Sequence, residues 1–247
     1  MTTVRACAVT VATWMATSWS LPVLAAGLRY PVTQVAPKFR ALAAERPACV
    51  AVARLPALPP EPDERATAAE ITVLLALQAT RTAADVAAIR AEVGDIVPLL
   101  LTRAGVRPRE APATVALLRR ALLDLDATLF RHKLAILRPR PHQQDARVRP
   151  AIAVPRHPAY PSGHGGEARL IARLLAALLP ARGADLLAYA AQVGWRREQA
   201  GVHFASDTAA GRVLGDAVAD LYLSGDACAR HWADPARGEW PQTPTKP

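Results

Sequence analysis

The sequence predicts an all-α protein, a single-domain helical bundle, on three observations. Hydrophobic residues make up 51% of the 247 residues while aromatics supply only 5%, so the core must be built mainly from Ala, Leu and Val, and Ala and Leu favour helix. An all-β domain draws on aromatic and β-branched residues and is disfavoured. Apolar residues recur at helical intervals between recognisable caps, with no competing period-two alternation.

The elements follow in order. Residues 1–26 carry Arg5, an apolar stretch from Ala6 to Leu24 and a small-residue exit at Ala25-Ala26, the order of a cleaved secretory signal. No Cys follows that exit, so no lipid anchor is indicated. Residues 27–62 hold Pro31, Pro37, Pro47, Pro56, Pro59, Pro60 and Pro62 and read as an extended lead-in wrapping a domain. Asp63 caps a helix through about Ala79, and Thr82-Ala83-Ala84-Asp85 reads as the capping box of a second, stopped at Gly94. Leu117, Leu118, Leu122, Leu125 and Leu129 form the stripe of a long helix from about Ala113 to Leu137, ended by Pro139. Residues 138–158 read as a polar Pro- and Arg-rich loop. Helices over about 165–179, 184–200 and 206–223 complete the catalytic unit, 63–225, and residues 226–247 read as an irregular tail. Beyond the leader, no apolar run approaches the roughly 18–20 residues of a spanning helix.

Thirty Lys plus Arg against 21 Asp plus Glu give a net charge of +9, which favours an anionic partner: a phosphorylated small molecule, anionic lipid or nucleic acid. Only Lys38, Lys133 and Lys246 are lysines, a bias that reads as coding preference. Cys7, Cys49 and Cys228 form no CxxC or zinc spacing, so no structural metal is expected. In an exported chain Cys49 and Cys228 either pair or remain buried thiols, and both readings stand.

Three stretches concentrate phosphate-binding and proton-transfer groups at helix boundaries: Lys133 through Arg140-Pro141, Pro161-Ser162-Gly163-His164, and Arg197 through His203 to Asp207. Each alone has an ordinary reading. Lys133 and Arg140 suit solvated cations near a helix C-terminus, Pro-Ser-Gly-His suits a turn entering an N-cap, and His203 with Asp207 suits a helical surface pair.

In this order and spacing the three stretches resemble the signature of the type 2 phosphatidic acid phosphatase and vanadium haloperoxidase superfamily. The resemblance runs over about residues 55–223, and the leader with its Pro-rich lead-in is most like the soluble bacterial class A non-specific acid phosphatases. It implies an exported phosphomonoesterase with His203 as nucleophile, Asp207 fixing its tautomer, and His164 as general acid and then base. Lys133, Arg140, Ser162, Gly163 and Arg197 would bind phosphate. The chemistry suits these types: arginine forks hold paired oxygens, lysine acts as a point charge, and backbone N–H groups at a helix entrance favour an oxyanion. Arg196 departs from the family's Ser and is expected to alter a supporting contact or add positive field.

The resemblance implies an acidic optimum, no metal and no obligatory cofactor, with vanadate as inhibitor or, in the haloperoxidase reading, as cofactor. The expected partner is a phosphorylated small-molecule substrate, with no nucleic acid and no membrane span, in the periplasm or outside the cell. The rival readings are a vanadium haloperoxidase, a lipid or polyprenyl pyrophosphate phosphatase, and a non-catalytic basic helical module. His132, His142, His157 and His231 read as surface or loop residues, with His142 and His157, which bracket the loop before the second stretch, also placed to line the pocket rim, and Arg138, Arg140, Arg147, Arg149 and Arg156 read as a solvated basic cluster without the aromatics that stack on nucleic acid.

Overall fold

The computed structural model describes residues 27–240. The expected signal segment, 1–26, lies outside the described residues, as does 241–247. Among the described residues all regular structure is helical.

The lead-in is less extended than its prolines imply. Pro37 occupies the first turn of a helix, α1 (Pro37–Ala44), where its missing N–H has no intrahelical partner to lose. Phe39 on α1 stacks on Phe130 with centroids 4.8 Å apart. The capped helices follow as read: α2 (Glu64–Thr80), where Asp63 accepts from Ala66 N at 2.8 Å, and α3 (Ala83–Ala91), with the Thr82/Asp85 capping box in place.

Residues 96–104 form a helix the sequence reading does not contain. In α4 (Ile96–Ala104) Asp95 caps Val97 N at 3.0 Å, and Pro98 sits in the first turn, where the backbone N–H groups lack intrahelical partners anyway. Ile96, Val97, Leu100 and Leu101 are buried by it.

The long helix α5 (Pro112–Ile136) spans 25 residues, and Leu137 ends it with a left-handed φ of 56°. A short α6 (Pro141–Gln144) opens the connection to α7 (Gly163–Leu178), followed by α8 (Gly183–Gln199) and α9 (Ala205–Leu223). The expected irregular tail is corrected: residues 227–238 form α10 (Ala227–Gly238), capped by Asp226 on Ala229 N at 3.0 Å. Its Ala229, Ala233 and Ala236 are buried, a stripe of small residues at helical spacing that outweighs Pro235. Cys228 on α10 is disulfide-bonded to Cys49, so of the two open cysteine readings the structure holds the paired one.

Helix α7 is the central element. Leu170, Ile171, Leu174 and Leu175 on it are buried to within 1%, each such side chain contributing about 1.5–3 kcal/mol of transfer free energy. Its contact with α9 is made by glycines: a Cβ on Gly211 would land on the carbonyl oxygen of Ser162, and one on Gly166 would stand 2.7 Å from the carbonyl oxygen of Gly211. Without those methyls the two backbones approach, and the N-terminal ends of α7 and α9 come together.

Candidate active site

Three elements deliver the site. After Leu137 the chain leaves the helix through Arg138-Pro139-Arg140, Pro139 disfavouring helix at its predecessor, and both arginines, two residues apart, reach the His203–Asp207 pair: Arg138 bonds Asp207 Oδ1 and Arg140 lies against His203 Nε2. The second element is the entrance of α7, where Ser162 Oγ accepts from Gly165 N at 3.3 Å and Ser162 N donates to the Asp207 carbonyl at 2.9 Å. The third is the entrance of α9, reached through Gly201 at φ 72°.

His203 is buried, and both its ring nitrogens are committed. Nδ1 lies 3.1 Å from Asp207 Oδ2 and Nε2 lies 2.9 Å from Arg140 Nη1. A guanidinium only donates and a carboxylate only accepts, so Nδ1 carries the hydrogen and Nε2 keeps its lone pair. Burial, then the Arg140 and Lys133 charges, hold the imidazole pKa well below its ordinary value. The ring is therefore neutral, with its basic nitrogen on the Arg140 side. Arg140 itself donates to the carbonyls of His157 at 3.0 Å and Val202 at 2.7 Å.

Asp207 has partners beyond His203. Oδ2 also accepts from Phe204 N at 2.9 Å, and Oδ1 from Arg138 Nη1 at 2.6 Å. Arg138, read from sequence as part of a solvated cluster, is fully buried; Arg147, Arg149 and Arg156 are exposed as expected. Its other amine reaches Glu70 Oε2 at 2.9 Å, and Glu70 accepts from Ser206 N at 2.7 Å and Ser206 Oγ at 2.8 Å. Glu70 on α2 thus steadies the start of α9. Of the two readings of His157, the surface one is corrected and the pocket one holds: it is buried against the cavity, edge-on to Phe39 and Phe130, with Nδ1 2.9 Å from Arg140 Nη2.

Lys133 is buried at the end of α5, where its ammonium donates to the carbonyls of Pro158 at 2.9 Å, Ala159 at 3.0 Å and Pro161. All three donors are used to fold the 158–161 loop toward the site, so Lys133 reaches the cavity as electrostatic field. Arg197 donates to the carbonyl of Ile89 at 3.0 Å and to Glu92 Oε2 at 3.1 Å, and its buried Nε has no partner among the described residues. Glu92, 2% exposed, is held by Arg196 as well, which gives the departing residue a supporting contact.

His164 lies across from His203. Its Nε2 is 3.1 Å from the Glu92 carbonyl oxygen and its Nδ1 is 3.5 Å from Glu167 Oε2. Burial and the charge of Arg197 pull its pKa down to about 4. Both imidazoles line one cavity of about 430 Å³, with Gly163, Glu167, Asp126 and His157 on its walls and Lys38, Phe39, Leu42, Asp95 and Leu122 also lining it. That volume suits a small-molecule ligand. Of the remaining candidates, Arg140 and Asp207 touch His203, Ser162 joins α7 to Asp207, and charge carries Arg197 to both histidines and Lys133 to His203.

The arrangement places a neutral, oriented imidazole beside a guanidinium, with a second imidazole facing the same space. Such a set can supply a nucleophile, an anion-stabilising charge and a proton donor to one small molecule. Residues 113–225 match the family model described as PAP2 superfamily. No curated protein matches the chain, and among the described residues no helix is long and apolar enough to cross a membrane.

Proposed function

Residues 113–225 belong to the PAP2 superfamily, a phosphatase-type family, and from that premise we propose that the protein is an exported acid phosphatase hydrolysing phosphate monoesters through a phosphohistidine. The observation that carries this reading is the unprotonated Nε2 of His203, its tautomer fixed by the Asp207 hydrogen bond at Nδ1 and its lone pair facing Arg140 Nη1, a donor that a phosphoryl oxygen would take over.

In the first step the Nε2 lone pair attacks phosphorus, the ester P–O bond breaks, and the departing oxygen takes a proton from His164. In the second, water attacks the phosphohistidine, the P–N bond returns its pair to Nε2, and His164 receives the water proton. Negative charge on the phosphoryl oxygens is met by Arg140, by the unpartnered Nε of Arg197 and by the entrance of α7. No step of this scheme passes through a metal. The Cys49–Cys228 disulfide supports export, because such bonds persist in oxidising compartments.

Acid-quench trapping of the mature protein after exposure to labelled p-nitrophenyl phosphate tests the reading. The expected result is an acid-labile, base-stable phosphoenzyme that His203→Ala abolishes. Absence of a phosphoenzyme in rapid-quench samples that nevertheless show turnover would overturn the intermediate. Vanadate-dependent bromide oxidation with no ester hydrolysis would replace the reaction class.

A further inference from the structure

A second imidazole–carboxyl pair faces His203 and Asp207 across the cavity, and its carboxyl belongs to a residue outside the three signature stretches. Glu167 follows His164 by three residues on α7 and so shares its face, with Oε2 3.5 Å from His164 Nδ1. The other ring nitrogen, Nε2, points at the Glu92 carbonyl oxygen at 3.1 Å. A carbonyl accepts only, so Nε2 carries a hydrogen. A neutral ring then turns a lone pair at Nδ1 toward the carboxyl, and two lone pairs face each other unless a proton lies between them.

Gly163 adds a second observation. A Cβ there would stand 2.8 Å from Glu167 Oε1, so the carboxyl folds back over the first residue of α7, the place where an oxyanion is favoured. An ionised carboxylate would repel a phosphate there, whereas a protonated one donates to it.

We propose that Glu167 is a positioning residue that holds, jointly with His164, the proton given to the departing ester oxygen. This rests on the phosphatase reading above. As the ester P–O bond breaks, its electron pair takes the shared proton from Nδ1, leaving Glu167 ionised beside a neutral His164. When water later attacks the phosphohistidine, its proton returns to the pair and the P–N electrons return to His203.

The groups facing the pair come from the elements around α7: Asp126 and Lys133 on α5, Asp95 at the start of α4, Glu92 after α3, Arg197 on α8, His203 before α9, and Arg140. Burial, opposed by Lys133 and Arg197 and aided by Asp95, raises the Glu167 carboxyl to about 7. The Glu167 carboxyl, 3.5 Å from Nδ1, thus keeps a proton to near neutrality, where the His164 ring, lowered to about 4, would have lost one.

The test compares wild type with Glu167→Gln on two esters at a series of pH values. p-Nitrophenolate departs with little protonation; the alkoxide of ethyl phosphate needs a full proton. For the variant, kcat/KM on ethyl phosphate is expected to fall about 10²-fold or more, with its alkaline limb moving from near pH 7 toward pH 4. On p-nitrophenyl phosphate the loss is expected to stay under about fivefold, with phosphoenzyme still trapped. Equal losses on both esters, or an unmoved limb, would overturn the proposal while a trapped phosphoenzyme leaves the phosphatase reading standing; no phosphoenzyme even in wild type sinks that reading instead. Should the variant not fold, nitrogen-15 titration of the His164 ring in wild type decides. An inflection near pH 7 supports the shared proton, and a single inflection near 4 refutes it.

Discussion

Arg138 and Asp207 form a fully buried ion pair, Nη1 to Oδ1 at 2.6 Å, directly behind His203. The same guanidinium bonds Glu70 and lies over the Phe204 ring, 4.1 Å from its centroid, so one fork serves two carboxylates and an aromatic face. Its planar geometry does this; a lysine cannot. Removing one partner of a buried pair leaves the other charge without compensation, at a cost of about 3–5 kcal/mol. Arg138→Met is therefore expected to lose about that much in urea unfolding, and to lower kcat about 10- to 100-fold through misorientation of Asp207. A loss under about 1 kcal/mol would mean that Asp207 finds another partner.

The dependence of stability on pH follows from two opposed sets of groups. Burial lowers the pKa values of His203, His157 and His164, the last from 6.5 to about 4. Their contribution is present above pH 6.5 and is lost as pH falls through the folded values. Burial raises Glu167 and Glu198 from 4.5 to about 7; their contribution is present below pH 4.5 and is lost as pH rises through 7. Asp126, raised well above 3.8 by burial, joins the two glutamates, so between 4.5 and 6.5 three histidine slopes are opposed by three carboxyl slopes. Thermal unfolding followed from pH 3 to pH 8 is expected to show a broad maximum in that mildly acid window, declining on both sides. A midpoint that climbs steadily to pH 8 would contradict the buried carboxyls.

Gly211 decides how closely α9 approaches α7. An added methyl would meet the Ser162 carbonyl oxygen, a backbone atom with no rotamer to change, so the helices must part. Gly211→Ala is expected to cost about 1–3 kcal/mol by overpacking and to reduce activity, because Ser162 N to Asp207 O at 2.9 Å joins the two helix entrances. Gly238→Ala, with nothing within 4 Å of the new methyl, serves as the control and is expected to unfold like wild type. Equal behaviour of the two variants would show that the approach has slack.

What the sequence made legible was local. His203 and Asp207 are one helical turn apart, and Ser162-Gly163-His164 is contiguous, so spacing alone placed each set at a helix entrance. Which distant group would neutralise which was not legible. Arg138 looked like its exposed neighbours because its partners, Glu70 and Asp207, lie 68 and 69 residues away. The signal available was Pro139, which disfavours helix at Arg138 and, in an extended step, sets Arg138 and Arg140 on the same side, so that a site role for Arg140 carries Arg138 with it. Glu167 was within reach of sequence reasoning, three residues after His164, but its carboxyl means little until the Glu92 carbonyl is seen to occupy Nε2. Lys133 was recognised as a cation at the site, yet nothing in its spacing shows that three loop carbonyls take its donors. Helix α10 was hidden by Pro235 and by a core stripe made of alanines, and α4 by Pro98, whose place in a first turn costs no hydrogen bond.

Arg196 provides a last test, since it stands where the resemblance leads one to expect Ser. Glu92 is 2% exposed and bonds both Arg196 and Arg197, the latter at 3.1 Å. While Arg196 shares that carboxylate, Arg197 is only partly neutralised and its charge extends into the cavity, where it acts on both His164 and His203. In Arg196→Ser the whole of the Glu92 charge falls on Arg197, and less positive field remains for the phosphoryl group. Glu92 keeps Arg197 as its partner in this variant, so no buried charge is left unpaired and the loss of folding stability is expected to fall below the about 3–5 kcal/mol of a broken buried pair. The expected outcome is a KM for p-nitrophenyl phosphate raised roughly fivefold, equivalent to about 1 kcal/mol of binding, with kcat within about twofold of wild type. Glu92→Gln should shift KM the opposite way, because it frees Arg197 from its counter-charge. Steady-state kinetics on both variants check the pair, and a fall in kcat with unchanged KM in Arg196→Ser would place Arg196 in the chemistry of the step and not in binding.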